Sequence, residues 1–185
     1  MATTKTITGG RNAAGTAGVA FAIPELNRCN GTALRKATRR VSQLYDAVLA
    51  PSGLRSTQRS ILIHVARAGT PAMGDLATAL VLDRSALAHN LKPLERDGLV
   101  KVIVDRNDKR SRLVKLTARG EEKLSESMGL WKKAQHCFET AFGSEQASAL
   151  RASLALISSA EFTQVFQESY LPGKNRAQRK GALIQ

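Results

Sequence analysis

Residues 82–116 read LDRSALAHNLKPLERDGLVKVIVDRNDKRSRLVKL. Leu87, Leu91 and Leu94 recur at steps of four and three, the period of one helical face. Asp83 stands where an N-cap belongs, and Gly98 stands where a helix closes in the left-handed conformation. The spacing therefore predicts a helix over 84–97. Pro93 deletes one hydrogen bond and predicts a kink in that turn, although the apolar stripe runs through it. Leu99–Val104 and Arg112–Leu116 are strand-like runs on either side of a charged turn, Asp105–Ser111. Together they predict a two-stranded hairpin with a basic tip.

Upstream, Leu76, Ala77 and Leu80 mark a short helix over 74–80. Ile61, Leu62 and Val65 mark another over 56–68, with Ser56 or Thr57 as its cap. Residues 27–50 carry Leu34, Ala37, Val41, Leu44, Tyr45 and Val48 on one helical face, ended by Pro51-Ser52-Gly53. Downstream, Thr117 caps a long helix whose stripe is Leu124, Met128, Trp131, Gln135, Phe138 and Phe142, a heptad seam. A last helix is expected over 145–169, carrying Leu150, Leu154, Ile157, Phe162 and Val165. Residues 1–24 read as a flexible arm, and 170–185 as a basic tail. The predicted class is mainly α with a small β wing. A winged helix-turn-helix domain over 53–116 is flanked by helical segments over 25–52 and 117–169, which the resemblance given below implies to be the dimerisation region.

The chain has 185 residues, 28 Lys+Arg against 15 Asp+Glu, and a net charge of +13. That surplus points to a polyanionic partner, nucleic acid before membrane. It is concentrated: residues 27–60 contribute +6, and 101–115 contribute +4. With no apolar run of 18 residues, no spanning helix is expected; no secretory signal is expected either, the apolar run Val19–Ile23 being too short and too late for one, so the expected location is the cytoplasm. Cys29 and Cys137 have no CxxC spacing, and the three histidines form no i,i+4 pair, so no metal is expected. No nucleophile–base pairing or phosphate-cradling glycine motif exists. An enzyme is not expected, nor is a cofactor.

A helix, tight turn, helix and hairpin in that order make a helix-turn-helix with a wing. Arg84, Ser85, Ala88, His89 and Lys92 lie off the apolar stripe of the second helix, and a small-residue face of this kind can approach base edges in a major groove. Arg106, Lys109, Arg110 and Arg112 belong to the hairpin, whose tip suits an adjacent minor groove. Double-stranded DNA is the partner this implies.

Several segments together resemble the MarR family of bacterial winged-helix regulators. They are Leu82-Asp83-Arg84-Ser85, Leu91-Lys92-Pro93-Leu94-Glu95-Arg96-Asp97-Gly98-Leu99-Val100, Asp105 to Ser111, and Leu116-Thr117-Ala118-Arg119-Gly120. Leu54 to Gln58 and Leu44-Tyr45-Asp46 fit as well, so the resemblance covers roughly 27–168. It accommodates Pro93. It implies a homodimeric repressor on a pseudo-palindromic operator, with helix 84–97 as recognition helix, Arg110 in the minor groove and Asp108 orienting the wing by pairing with an arginine. It also implies a small-molecule effector, an aromatic acid or acyl thioester, bound between the dimer region and the winged domain. Ala88-His89 stands where the family often has Thr-Arg, and Asn107 where it often has Arg.

Candidate effector contacts are Arg39, Arg40, Tyr45, His64 and Trp131. Stripe aromatics are more often core, His64 more often a satisfied core histidine, and Arg39 and Arg40 more often solvated. Cys29, beside Arg28 near a helix start, could act in redox sensing, although a buried inert thiol is the commoner case; Cys137 reads as packing. Two rivals stand beside the repressor: an architectural, sequence-neutral DNA binder, and a thiol switch using Cys29.

Overall fold

A computed structural model describes residues 28–170. The arm expected over 1–24 and the tail over 170–185 lie outside these residues, apart from Tyr170. The chain divides at Ala37–Thr38 into two compact units. In the first, the Ala33 N–H bonds the Cys29 carbonyl at 3.0 Å and opens the leading helix.

The elements are α1 (Asn30–Leu49), α2 (Ser56–Ala68), α3 (Met73–Ala79), α4 (Arg84–Arg96), β1 (Val100–Val104), β2 (Arg112–Leu116), α5 (Ala118–Phe142), α6 (Ser144–Ile157) and α7 (Ala160–Tyr170). A 3₁₀ turn, Ala50–Ser52, follows α1 and closes at Gly53 with φ of 71°. The fold is mainly helical with one antiparallel hairpin. Val100 pairs with Leu116, Val102 with Val114 and Val104 with Arg112. No helix among the described residues is long and apolar enough to cross a membrane.

One core joins α2, α3, α4 and the hairpin base. It holds Leu54, Ile61, Leu62, Val65, Leu76, Ala77, Leu87, Leu91, Leu94, Leu99, Val100, Val114 and Leu116. The α4 stripe lies inside it, and α4 runs unbroken through Pro93. Burying a leucine of this kind contributes about 1.5–3 kcal/mol.

Three details depart from expectation. Neither Ser56 nor Thr57 caps α2. Arg55 is the N-cap residue; its N–H donates to Gln58 Oε1 at 2.9 Å, and the Ser56 N–H donates to Asp46 Oδ1 at 2.6 Å. A carboxylate from α1 thus does what a local hydroxyl was expected to do. The single last helix is two helices, since α6 ends at Ser158 and the Ser159 hydroxyl accepts the Phe162 N–H at 3.1 Å. Serine in two successive positions offers the backbone a local alternative to the helical ladder.

The buried face of α5 is not the large stripe but Gly120, Ser127 and Ala134. These three small residues, seven apart, let the body of the domain come close. Leu124, Met128, Trp131, Gln135 and Phe138 are only half-buried, and Phe142 is exposed. The apolar positions of α6 and α7 face outward: Leu154, Ile157, Phe162 and Val165 are all exposed, as are Leu156, Phe166 and Tyr170.

The turn between α3 and α4 is strained. Val81 has φ of +53°, the one positive value outside glycine among the described residues. A β-branched side chain is a genuine outlier there, at a cost of about 1–3 kcal/mol. Val81 is 70% exposed, so burial offsets little of that cost. Val81→Gly is expected to stabilise the chain by about 1 kcal/mol, since relief of strain outweighs about 0.5–1 kcal/mol of added chain entropy. A higher urea midpoint at unchanged slope is the result that would show it.

Candidate nucleic-acid interface

The start of α4 is built by Asp83. Its carboxylate Oδ1 accepts the Ala86 N–H and the Ser85 hydroxyl, each at 2.7 Å. The Ala86 N–H first, then the Ser85 hydroxyl, holds the Asp83 pKa below the usual carboxylate range. A lowered folded pKa means the cap is fully formed above the ordinary carboxylate range and is lost only as pH falls through the lowered value. Ser85 therefore spends its proton on the cap and keeps its lone pairs free.

Arg84, Ser85, His89 and Lys92 are exposed, and Ala88 is half-buried, on the side of α4 opposite Leu87, Leu91 and Leu94. The Arg84 guanidinium lies against α3 at Gly74, where a Cβ would stand 3.1 Å from its Nη2.

The hairpin turn is closed by its own polar groups. The Asn107 N–H donates to Asp105 Oδ1 and the Arg110 N–H to Asp108 Oδ1, each at 2.9 Å. The Ser111 N–H bonds the Asp108 carbonyl at 2.8 Å. Asp108 thus shapes the wing through a backbone amide two residues on, rather than through an arginine. Closing so short a ring freezes far less chain than an ion pair with a long side chain.

Arg112, expected among the DNA contacts, is exposed and is also engaged within the wing. Its Nη1 donates to the carbonyls of Lys109 at 3.0 Å and Ser111 at 3.3 Å, bracing the tip. Arg106, Lys109 and Arg110 stand exposed, and no carboxylate pairs with them among the described residues. The structure thus carries two cationic projections, the first turns of α4 and the hairpin tip, on one rigid core.

A second site lies where α1 and α2 meet α5. A cleft of about 210 Å³ is lined by Tyr45, Leu49, Ser56, Arg59, Ser60, Ile63 and Trp131. Of the expected effector contacts it brings together Tyr45 and Trp131. Arg39 and Arg40 are exposed elsewhere on α1, and His64 is half-buried with its Nδ1 2.8 Å from the Ser60 carbonyl.

The side chain the sequence reading missed is Arg59, only 7% exposed. Its Nε donates to Ser127 Oγ at 3.1 Å, its Nη2 lies 3.1 Å from Met128 Sδ, and it stacks 4.9 Å from the Trp131 ring centre. No carboxylate balances it among the described residues, and burial lowers its pKa. A signal existed: Arg59 stands three before Leu62 and four before Ile63, a charge inside an apolar stripe. The Tyr45 hydroxyl donates to Gln135 at 2.9 Å; burial first, then Glu139, raises its pKa.

Cys29 and Cys137 are both exposed, not buried. The Thr32 side chain, then its backbone, lowers the Cys29 thiol pKa.

Residues 52–111 match the model of the MarR family. A transcriptional activatory protein, BadR of Rhodopseudomonas palustris, is 39% identical over 71 residues. That match covers 37% of this chain and 41% of BadR, so the chain spans about two-fifths of this relative. The M. tuberculosis transcriptional regulator MOSR, solved in complex with DNA, is 30% identical over 78% of this chain and 100% of its own, with a TM-score of 0.67. The transcriptional repressor CouR, solved on a 23-mer DNA duplex, is 27% identical over 72% of this chain and 95% of its own, with a TM-score of 0.66. The chain belongs to the MarR family and is a DNA-binding transcriptional regulator of that type.

Proposed function

We propose that the protein is a homodimeric repressor that places two α4 helices and two hairpin tips on a pseudo-palindromic operator and is released by a small anionic effector. The observation that carries the DNA reading is the pairing of two exposed cationic projections on one core, whose carboxylates Asp83, Asp105 and Asp108 bond local N–H and O–H groups and make no ion pair with the cations among the described residues. Arg84, Ser85, Ala88, His89 and Lys92 would meet the major groove, and Arg106, Lys109 and Arg110 the flanking minor groove. Arg112 and Asp108 would hold the wing in shape.

Dimer formation is supported by the apolar surface left open on the outer helices. Leu44, Leu156, Val165, Phe166 and Tyr170 are each more than half exposed, and large exposed apolar side chains on outer helices are what an interaction surface offers. Repression rather than activation is supported by CouR, a repressor matched over 95% of its length; BadR, an activator, is matched over 41%. The test is selection of duplexes from a random library, followed by footprinting. One protected palindrome, with half-site centres about 10–10.5 bp apart, is expected. A continuous smear would favour the architectural rival.

The effector reading rests on Arg59. A buried guanidinium with unused donors beside a tryptophan and a tyrosine suits a carboxylate on an aromatic ring. The cleft is below the roughly 300–1,000 Å³ of larger ligand sites, which favours the free acid over its thioester. In a thermal-shift screen of aromatic acids, a binder at about 100-fold its Kd stabilises by about 2.7 kcal/mol, or several degrees for a chain this long. Arg59→Met is expected to abolish that shift. The same acid should weaken binding to the selected duplex, and a shift retained by Arg59→Met would place the ligand elsewhere.

Exposure of Cys29 and its lowered pKa support a second reading, release by thiol oxidation. A Cys29→Ser protein that still leaves DNA on peroxide treatment would remove it.

A further inference from the structure

The two strands of the wing have their outer edges held in different ways. In an antiparallel pair, alternate residue pairs turn their N–H groups away from each other. Val102 and Val114 are such a pair. The Val114 N–H leaves the hairpin for the Pro71 carbonyl at 2.9 Å, and a bridge between Ala72 and Leu113 reinforces that side. The Val102 N–H leaves on the other side and donates to Glu95 Oε1 at 3.2 Å. One edge is therefore held by backbone, and the other by a single side chain.

Glu95 stands in the last turn of α4, where the negative end of the helix disfavours a carboxylate. The edge amide is its one hydrogen-bond partner among the described residues, and no cation lies within ion-pair range of it there. An acid kept at an unfavourable helix end, bonded only to the wing, ties the element carrying one cationic projection to the element carrying the other.

We propose that Glu95 is a positioning residue for DNA binding. It fixes β1 to α4 at Val102 and so sets the angle between the recognition face and the tip that bears Arg110. The proposal rests on the reading that α4 and the wing both touch DNA. Arg110 lies four residues beyond Val114, the partner of Val102, or about 13 Å at roughly 3.3 Å of rise per residue. A tilt of about 10° there swings Arg110 by roughly 2 Å, beyond the few tenths of an ångström that hydrogen bonds tolerate.

The test uses full-length protein and a duplex that the unmodified chain selects from a random library. Glu95→Ala and Glu95→Gln are titrated alone and in an Arg110→Ala background. Glu95→Ala is expected to weaken binding about tenfold with an unchanged melting temperature. Glu95→Gln is expected to stay within about twofold of the parent, because its carbonyl accepts the same N–H. In the Arg110→Ala background, Glu95→Ala is expected to cost less than about twofold, since a positioning residue and the group it positions are not additive.

Parental affinity in Glu95→Ala, an equal loss in both backgrounds, or a loss that tracks a lowered melting temperature would each overturn the proposal. Failure of the unmodified chain to enrich any duplex would overturn the functional reading itself and the proposal with it. That failure shows at the selection step, before any variant is measured.

Discussion

Gly120→Ala is expected to destabilise the chain by about 3 kcal/mol, although alanine is the better helix former by about 1 kcal/mol. Gly120 sits in the first turn of α5, buried against the strand entry. A Cβ there would collide with the Leu99 carbonyl oxygen and would stand 3.0 Å from the Leu99 carbonyl carbon and 3.2 Å from Leu116 Cδ2. The first two are backbone, and that backbone is in use. The Leu99 carbonyl accepts the Thr117 N–H at 3.1 Å, and the Thr117 hydroxyl donates to the Gly98 carbonyl at 2.6 Å while accepting the Gly120 N–H at 3.0 Å.

Relief requires α5 to lift by more than an ångström, which opens its own cap. It also parts the small-residue face, including Ser127 with its bond to Arg59. Lost packing and lost cap bonds add up to more than the helix propensity returns. For a chain of this length the melting temperature should fall by about 6–12 °C. Circular dichroism melts of parent and variant decide it, and coincident curves would mean that α5 does not dock as described. Gly129, on the same helix with nothing within 4 Å of an added Cβ, is the control: alanine there should be neutral or stabilising.

That contrast shows what was legible in the chain. The α4 stripe and its punctuation were readable because hydrophobic period, N-cap and terminal glycine all report one local geometry, and β2 was read to the residue. The docking face of α5 was not. Gly120, Ser127 and Ala134 carry little hydrophobicity, and the larger stripe beside them dominates any pattern, yet close approach selects small residues rather than greasy ones.

Arg59 escaped for a related reason, since a charge normally marks the solvated side of a helix. Asp108 and Arg112 were placed in the wing correctly, but their partners are backbone groups, which leave no trace in side-chain spacing. The α6–α7 break rests on one serine hydroxyl, too small a feature for periodicity to register. The exposure of the apolar residues of α6 and α7 fits a surface completed by a second copy, as the family resemblance implies.

Arg110→Ala carries the largest expected functional effect, because the proposed dimer presents the residue twice. Arg110 is exposed at the tip, its backbone N–H fixed by Asp108 and its guanidinium unpaired by any carboxylate among the described residues. Nothing in the fold needs that charge, so its removal should leave the melting temperature unchanged. A base-edge or narrow-groove contact is worth about 1–3 kcal/mol per site, so two additive wings make about 2–6 kcal/mol on a selected duplex.

Loss of charge alone would also weaken binding, and the nature of the contact is separated by sequence. If Arg110 enters a narrow minor groove, exchanging flanking A·T pairs for G·C should weaken the parent and leave Arg110→Ala nearly unaffected. Lys109→Ala supplies the comparison. It should lower affinity on all duplexes alike and reduce the salt slope by about one per wing. Should both variants lose affinity equally on A·T- and G·C-flanked duplexes, the wing would be only an electrostatic contact, and discrimination would then fall to Arg84, Ser85, Ala88 and His89 on α4.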